Sequence, residues 1–229
     1  GATFAESFLE NNISTSFGKI TVNSGAKVTV TDGNQKIYKT DEPTTSTNTI
    51  SYTGTVTYAV SMDASDKPYN VEISMPGHFR DYTTTPVIGS NRYGYPTGSY
   101  YDRASLDTPL MLGGDVNGDN VIDMKDLLAE IEAYKNYTAL TVTADKKAFL
   151  TNSANRKYDI RWIPTTSVGY GIDYYDFYYI FKNFNQVNQS AIQAGMNVPT
   201  PQLTLTEDTL VNGVQLKAGD GLDKVWAAL

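Results

Sequence analysis

From Gly18 to about Met75 the chain alternates small or polar residues with Val, Ile and Tyr. The runs are Lys19-Ile20-Thr21-Val22, Lys27-Val28-Thr29-Val30, Thr55-Val56-Thr57-Tyr58-Ala59-Val60 and Tyr69-Asn70-Val71-Glu72-Ile73-Ser74-Met75. Period-two alternation in β-branched and aromatic residues predicts half-buried strands. Turn signals at Asn23-Ser24-Gly25, Thr31-Asp32-Gly33-Asn34, Tyr52-Thr53-Gly54 and Pro76-Gly77 fall at spacings that suit a small antiparallel β-sandwich. Its strands lie between about Phe17 and Leu112 in a domain spanning residues 1–112. Residues 1–16 read either as a short helix, with Phe4, Phe8 and Leu9 on one side, or as a link from an upstream module. The Gly-, Tyr- and Ser-rich stretch 89–105 reads as an ordered loop, with a stacking platform for a sugar or peptide as the alternative.

After Leu112 the pattern changes to an acidic, glycine-containing loop followed by helical periodicity. A helix from Met124 to about Tyr137 places Leu127, Leu128, Ile131 and Tyr134 on an inward stripe and Glu130, Glu132 and Lys135 outside. Fifty residues later Phe177, Tyr178, Phe181 and Phe184 repeat the stripe, and Ile172, Asp173 and Asp176 match Ile122, Asp123 and Asp126. This is an internal duplication of a loop-helix unit, with repeat one at 115–137 and repeat two at about 159–184. The tail, residues 188–229, reads as a strand at 202–206, a hairpin turning at Asn212-Gly213 and a short helix from Gly221 to Leu229. It is expected to brace the β domain or enlarge a docking face.

With 229 residues, two small domains are expected, each with its own core. The composition, 40% hydrophobic and 19% charged, is that of a folding chain. A net charge of -7 disfavours nucleic acid and anionic membranes as partners. No run approaches the roughly 18 apolar residues of a membrane span, and a chain opening at Gly1 reads as a piece of something longer. The absence of cysteine and the presence of one histidine, His78, exclude disulfides, thiolate nucleophiles and Cys-type zinc sites. Any metal must then be a hard cation held by oxygens.

The segment Gly114-Asp115-Val116-Asn117-Gly118-Asp119-Asn120-Val121-Ile122-Asp123-Met124-Lys125-Asp126 supplies such oxygens. With Asp115 as position one, Asp115, Asn117, Asp119, Asp123 and Asp126 fall at positions one, three, five, nine and twelve, and the Val121 carbonyl at seven. That is the ligand order of an EF-hand-type calcium loop. Alternate residues of a tight loop point inward, and the following helix delivers the last carboxylate. Position six is Asn120 rather than Gly, and Asn tolerates the left-handed conformation required there. Position twelve is Asp rather than Glu. The alternative is a metal-free Asx-rich turn capping a helix. Repeat two has lost its front half: the matching positions are Thr165, Ser167 and Gly169 unless an insertion separates Asp159 from the rest. One calcium ion is therefore expected, in repeat one.

At these residues the sequence resembles a dockerin, a duplicated calcium loop-helix module that docks into cohesin domains of cellulosome-type assemblies. The match spans about Gly113 to Val187 and is specific in GDVNGDNVIDMKDL. Leu140 to Leu150 is similar to the helix joining dockerin repeats, and the β domain resembles the X module fused ahead of some dockerins. The resemblance implies an α+β chain of two domains, an antiparallel β-sandwich followed by an α-helical dockerin at 113–187 with its extension at 188–229. It also implies that Met124, Lys125, Tyr174 and Tyr175, with Lys182 or Asn183, face the cohesin, although Tyr174 and Tyr175 could instead cover the core between repeats. The insertion between Tyr158 and Ile172, carrying Trp162 and Pro164, departs from the family pattern.

The function so implied is non-catalytic: calcium-dependent docking to a cohesin of a scaffold or cell-surface protein, in a secreted or surface-attached bacterial protein. The alternative is a carbohydrate-binding accessory module of an extracellular polysaccharide-degrading enzyme, with Tyr93, Tyr95, Tyr100 and Tyr101 as its platform. Catalysis is disfavoured, because His78 follows a Pro-Gly turn with no nucleophile motif around it and reads as a surface residue.

Overall fold

The alternating segments fold as antiparallel strands. In the computed structural model of the chain, residues 14–23, 27–31, 37–41, 55–62, 70–84, 111–160 and 171–229 are described. They fall in two units, one comprising Gly1–Ser74 and Asp81–Leu110 and the other Met75–Arg80 and Met111–Leu229. The chain is thus mixed α and β, with small antiparallel sheets.

In the first unit β1 (Ser14–Asn23) pairs with β4 (Thr55–Met62), setting Ile20 opposite Tyr58 and Val22 opposite Val56. A four-stranded sheet has the order β3-β2-β5-β6, with β2 at Lys27–Thr31, β3 at Ile37–Asp41, β5 at Asn70–Ser74 and β6 at Asp81–Thr84. Val71 and Ile73 of β5 are buried while Asn70 is exposed, as period two requires. The sequence pattern did not anticipate β3 and β6. Both are short and largely polar, Ile-Tyr-Lys-Thr-Asp and Asp-Tyr-Thr-Thr, and carry little apolar alternation. The facing of two sheets that would make a sandwich depends on residues outside those described, as do the expected helix at 1–16 and the loop at 89–105.

The second unit is mainly helical. Its helices are α1 (Met124–Ala139), α2 (Thr143–Thr151), α3 (Tyr174–Lys182), α4 (Gln189–Gln193) and α5 (Leu222–Ala228), with a 3-10 turn at Arg156–Tyr158. Strand β7 (Val121–Ile122), just before α1, pairs with β8 (Gln186–Val187), just after α3, so the two repeats are tied at their ends. The hairpin of β9 (Thr209–Val211) and β10 (Val214–Leu216) turns at Asn212-Gly213, both at positive φ, as the Asn-Gly signal predicts. Only an isolated bridge, Thr204 to Gly221, stands where a strand was expected at 202–206.

One apolar cluster joins Ile122, Met124 and Leu127 of repeat one, Phe177 and Ile180 of repeat two, and Leu205, Val211, Leu216, Val225 and Ala228 of the tail. Residues 188–229 are therefore not a separate segment: they complete the core of the helical repeats. Residues 75–80 also belong here, with the Phe79 N–H donating to the Leu112 carbonyl at 2.9 Å and the Gly114 N–H to the Gly77 carbonyl at 2.8 Å. His78 is part-buried rather than a surface residue, its Nδ1 lying 2.8 Å from the Pro76 carbonyl. Burial lowers its pKa, partly offset by that hydrogen bond.

The inward stripe differs from the one the sequence pattern suggests. On α1 the buried residues are Met124, Asp126, Leu127, Glu130 and Ala133, whereas Leu128 and Ile131 are only partly covered and Tyr134 is exposed. On α3 they are Asp176, Phe177 and Ile180, with Tyr178 exposed. The tail and the partner repeat cover a face rotated toward the acidic caps, which brings Glu130 inside.

Candidate metal centre

The loop before α1 is shaped by its own carboxylates. Asp115, buried, accepts the backbone N–H groups of Gly118 at 2.8 Å and Asp119 at 3.1 Å on Oδ1, and of Asn120 at 3.1 Å on Oδ2. Asn117 Oδ1 accepts the Asp119 N–H at 2.8 Å, and Asp119 Oδ1 accepts the Val121 N–H at 3.2 Å. These bonds wind the chain into the Asx-turn series that the Asp/Asn spacing implies. Asn120 has φ 69, the left-handed conformation expected at position six, and its Oδ1 accepts from Asn188 Nδ2 at 2.9 Å.

Asp126 closes the loop onto the helix. Its Oδ1 accepts the N–H groups of Val116 at 2.9 Å and Asn117 at 3.1 Å, and its Oδ2 accepts the Asp123 N–H at 2.9 Å. Asp123 in turn accepts the Lys125 N–H at 2.8 Å, completing a capping box on α1. The second Asp123 oxygen accepts the Gln202 N–H at 2.7 Å. Repeat two has the same box: Asp173 accepts the Tyr175 N–H, and Asp176 the Asp173 N–H, each at 2.8 Å.

Asp115, Asp119 and Asp126 each present a carboxylate oxygen, and the three atoms lie within 4.8 Å of one another. Asp115 and Asp126 are buried, and Asp119 is part-exposed. Burial raises the Asp115 pKa from 3.8 to about 6, opposed by its three N–H donors and reinforced by Asp119. Burial likewise pushes Asp126 from 3.8 to about 7, opposed by the N–H groups of Asp123 and Asn117 and reinforced by the charges of Asp115 and Asp123. An all-oxygen acidic donor set under mutual repulsion fits a hard divalent cation. Asp119 Oδ2 also lies 3.6 Å from Lys125 Nζ.

The six residues expected at the calcium site do not act alike. Asp115, Asp119 and Asp126 converge. Asn117 is exposed and turns the loop, Val121 lies in β7, and Asp123 spends its oxygens on the α1 cap and Gln202. Of the expected partner-facing residues, Tyr174 (62% exposed), Tyr175 (50%), Lys125 and Lys182 are exposed. Met124 and Asn183 are not. Met124 is fully buried in the core, its N–H donating to the Gln202 carbonyl at 2.9 Å, because the tail lies over the start of α1. Asn183 is buried and its Nδ2 donates to the Gly113 carbonyl at 2.7 Å, tying the end of α3 to the start of the first loop.

Two features were not anticipated from the sequence. Trp226 of α5 stacks against Phe181 at 4.6 Å and meets Tyr174 edge-on at 5.7 Å. Tyr134, Tyr174, Phe177, Trp226 and Leu229 then line a recess of about 240 Å³. The other is the burial of Glu130. The fifty-residue offset that aligns Asp126 with Asp176 also aligns Glu130 with Ile180, so the duplication itself marked Glu130 as a core position. Thr165, Ser167, Gly169, Trp162 and Pro164 lie outside the described residues.

No family model matches the sequence, and no curated protein matches it. Among solved structures the chain is similar to chains in two type II cohesin–X–dockerin complexes from Acetivibrio cellulolyticus. One is a C-terminal interface mutant, aligned over 75% of this chain and 96% of that one at 18% identity and a TM-score of 0.38. The other is an N-terminal interface mutant, aligned over 75% and 97% at 17% identity and a TM-score of 0.39.

Proposed function

We propose that the chain is a non-catalytic docking module whose helical unit is organised by calcium and binds a cohesin-type domain. In this reading it attaches its parent protein to an extracellular scaffold or to the cell surface. The observation that carries it is the convergence of Asp115, Asp119 and Asp126 at the head of α1, in a loop that has the ligand order of a calcium site. A bound divalent cation would neutralise the repulsion among these carboxylates. Asn117, the Val121 carbonyl and, through water, Asp123 are the remaining candidates for its oxygen shell.

The helices support the docking part. Two loop-helix repeats with the same capping box are held by one core and by the β7–β8 pair. The first turn of α3 presents Tyr174 and Tyr175, whose rings meet edge-on at 6.1 Å beside the Trp226 recess. Exposed aromatic side chains around a recess are the kind of anchor that dominates interfaces. The repeats differ at their exposed faces, Lys125 against Tyr174 and Tyr175, so binding in one orientation is expected.

The test is capture on a panel of immobilised cohesin domains in calcium and in chelator. Retention by at least one cohesin, lost in chelator and lost on Tyr174→Ala with Tyr175→Ala, is the expected result. Capture by none, or capture indifferent to chelator, overturns the reading. Both tyrosines are largely exposed, so the double variant should melt within about 1 kcal/mol of the parent.

A further inference from the structure

Position six of the first loop carries Asn120 where an EF-hand-type loop has glycine, and the residue that meets it lies in the tail. Asn120 has φ 69, a conformation that costs a residue with a side chain more than it costs glycine. Asn188, set between β8 and α4 in the chain and buried, holds it at two atoms. The Asn188 backbone N–H donates to the Asn120 carbonyl at 2.9 Å, and Asn188 Nδ2 donates to Asn120 Oδ1, also at 2.9 Å.

The Asn188 side-chain amide is fully used. Its Nδ2 also donates to the Arg80 carbonyl at 2.8 Å. Its Oδ1 accepts the N–H groups of Ser190 at 3.2 Å and Ala191 at 3.4 Å, capping α4. Two donated and two accepted hydrogen bonds are what a primary amide offers, so its orientation is fixed. Turned over, its NH₂ would face two N–H groups and its oxygen would face two acceptor oxygens. Aspartate lacks the donors, and serine can keep the cap but not the reach to Asn120.

The contact continues into the carboxylates of the loop. The Asn120 N–H donates to Asp115 Oδ2 at 3.1 Å, while Asp115 Oδ1 accepts from Gly118 and Asp119 at 2.8 and 3.1 Å. The left-handed turn at Asn120 therefore aims one of the N–H groups that orient Asp115. A loop whose carboxylates are already aimed loses less freedom on taking up an ion, and groups hydrogen-bonded behind metal ligands set much of the affinity.

We propose that Asn188 is a positioning residue for the cation loop: it holds Asn120 in its left-handed turn, keeps Asp115 aimed, and links calcium affinity to the seating of the tail against the first repeat. The proposal rests on the reading of Asp115, Asp119 and Asp126 as a calcium site. Asn120 and Asn188 are then one device, doing together what a glycine at position six does without a partner.

Calorimetric titration of the metal-stripped chain with calcium chloride tests it, using the parent, Asn188→Ser, Asn120→Gly and the double variant, each also melted in calcium and in chelator. Serine retains an oxygen for the α4 cap, and glycine adopts the turn unaided. Asn188→Ser should weaken calcium binding about tenfold, Asn120→Gly should change it by less than about threefold, and the double variant should bind as Asn120→Gly does. Affinity unchanged by Asn188→Ser, with melting lowered equally in calcium and in chelator, is a packing role alone and overturns the proposal while sustaining the calcium site. An equal loss of affinity in both backgrounds also overturns it, because the effect would then bypass Asn120. A parent that takes up no calcium removes the calcium reading itself, and this proposal with it. Should Asn188→Ser not fold, amide exchange of the parent decides: the Asn120 N–H should stay protected in chelator, and its loss of protection there overturns the proposal.

Discussion

Replacing Asp126 by Asn separates a loop built around a cation from one that is only a helix cap. The Asn oxygen can keep the N–H groups of Val116 and Asn117, now at 2.9 and 3.1 Å from Oδ1. Its NH₂ then faces the Asp123 N–H that Oδ2 accepts at 2.9 Å. One buried donor is orphaned, at about 1–3 kcal/mol. Against this, Asp126 is displaced from 3.8 to about 7, chiefly by burial. At pH 8 its ionisation inside the metal-free fold therefore costs about 4 kcal/mol relative to the unfolded chain. Asn avoids that cost, so relief of the buried charge outweighs the lost hydrogen bond.

In chelator at pH 8 the Asn variant should then be more stable than the parent by about 1–3 kcal/mol. At about 3 °C per kcal/mol for a chain of this size, that is a rise in melting temperature of about 3–9 °C. Calcium at a hundred times its dissociation constant adds about 2.7 kcal/mol to the parent and little to a variant lacking one ligand charge. The advantage should shrink or reverse. Scanning calorimetry of both proteins in chelator and in calcium gives all four values. A calcium increment equal in the two proteins would refute a role for Asp126 in holding the ion. A variant in chelator less stable than the parent by 2 kcal/mol or more would show that the loop is an ordinary cap whose hydrogen bonds outweigh the cost of its buried charge.

The pH dependence follows with its sign. Asp115 and Asp126 have folded-state values of about 6 and about 7, above 3.8 in the unfolded chain, so the metal-free fold binds the extra protons. Its stability is greatest below about pH 4 as far as these groups are concerned and falls as pH rises to about 7, and the stabilisation by calcium grows over the same window; melts from pH 4 to 8 that rise in chelator would contradict this. Gly77 and Gly118 both have positive φ, but a Cβ at Gly77 would collide with the Lys157 carbonyl oxygen, whereas nothing lies within 4 Å at Gly118. In urea, Gly118→Ala should cost about 1–2 kcal/mol for its backbone conformation alone, and Gly77→Ala more; equal losses would refute the close approach.

What could be read from the sequence tracks how local its cause is. The capping boxes of α1 and α3 depend on Asp123 with Asp126 and Asp173 with Asp176, each within four residues, and both form as their spacing implies. The Asn-Gly hairpin and the left-handed Asn120 are equally local. Strands β1, β2, β4 and β5 of the first unit were legible from their alternation, and β3 and β6, Ile37–Asp41 and Asp81–Thr84, were not, because they carry too little of it. The fate of residues 188–229 was set by contacts far along the chain: Gln202 meets Asp123, and Trp226 meets Phe181. No period announces such pairings.

The position that separates the repeats shows where pattern reading stops. A helical wheel places Glu130 outside because charged residues are rarely buried. The duplication places it inside because Ile180, fifty residues on, is a core residue. The two arguments conflict, and the structure sides with the duplication, since Glu130 and Ile180 are both 0% exposed. A fold that retains a carboxylate where its own symmetry calls for an aliphatic residue bears a desolvation cost at every folding event. That cost is offset only if the group is neutralised in the folded state, by a proton or by a cation. The acidic neighbours Asp176 and Asp159 make the proton easier to keep.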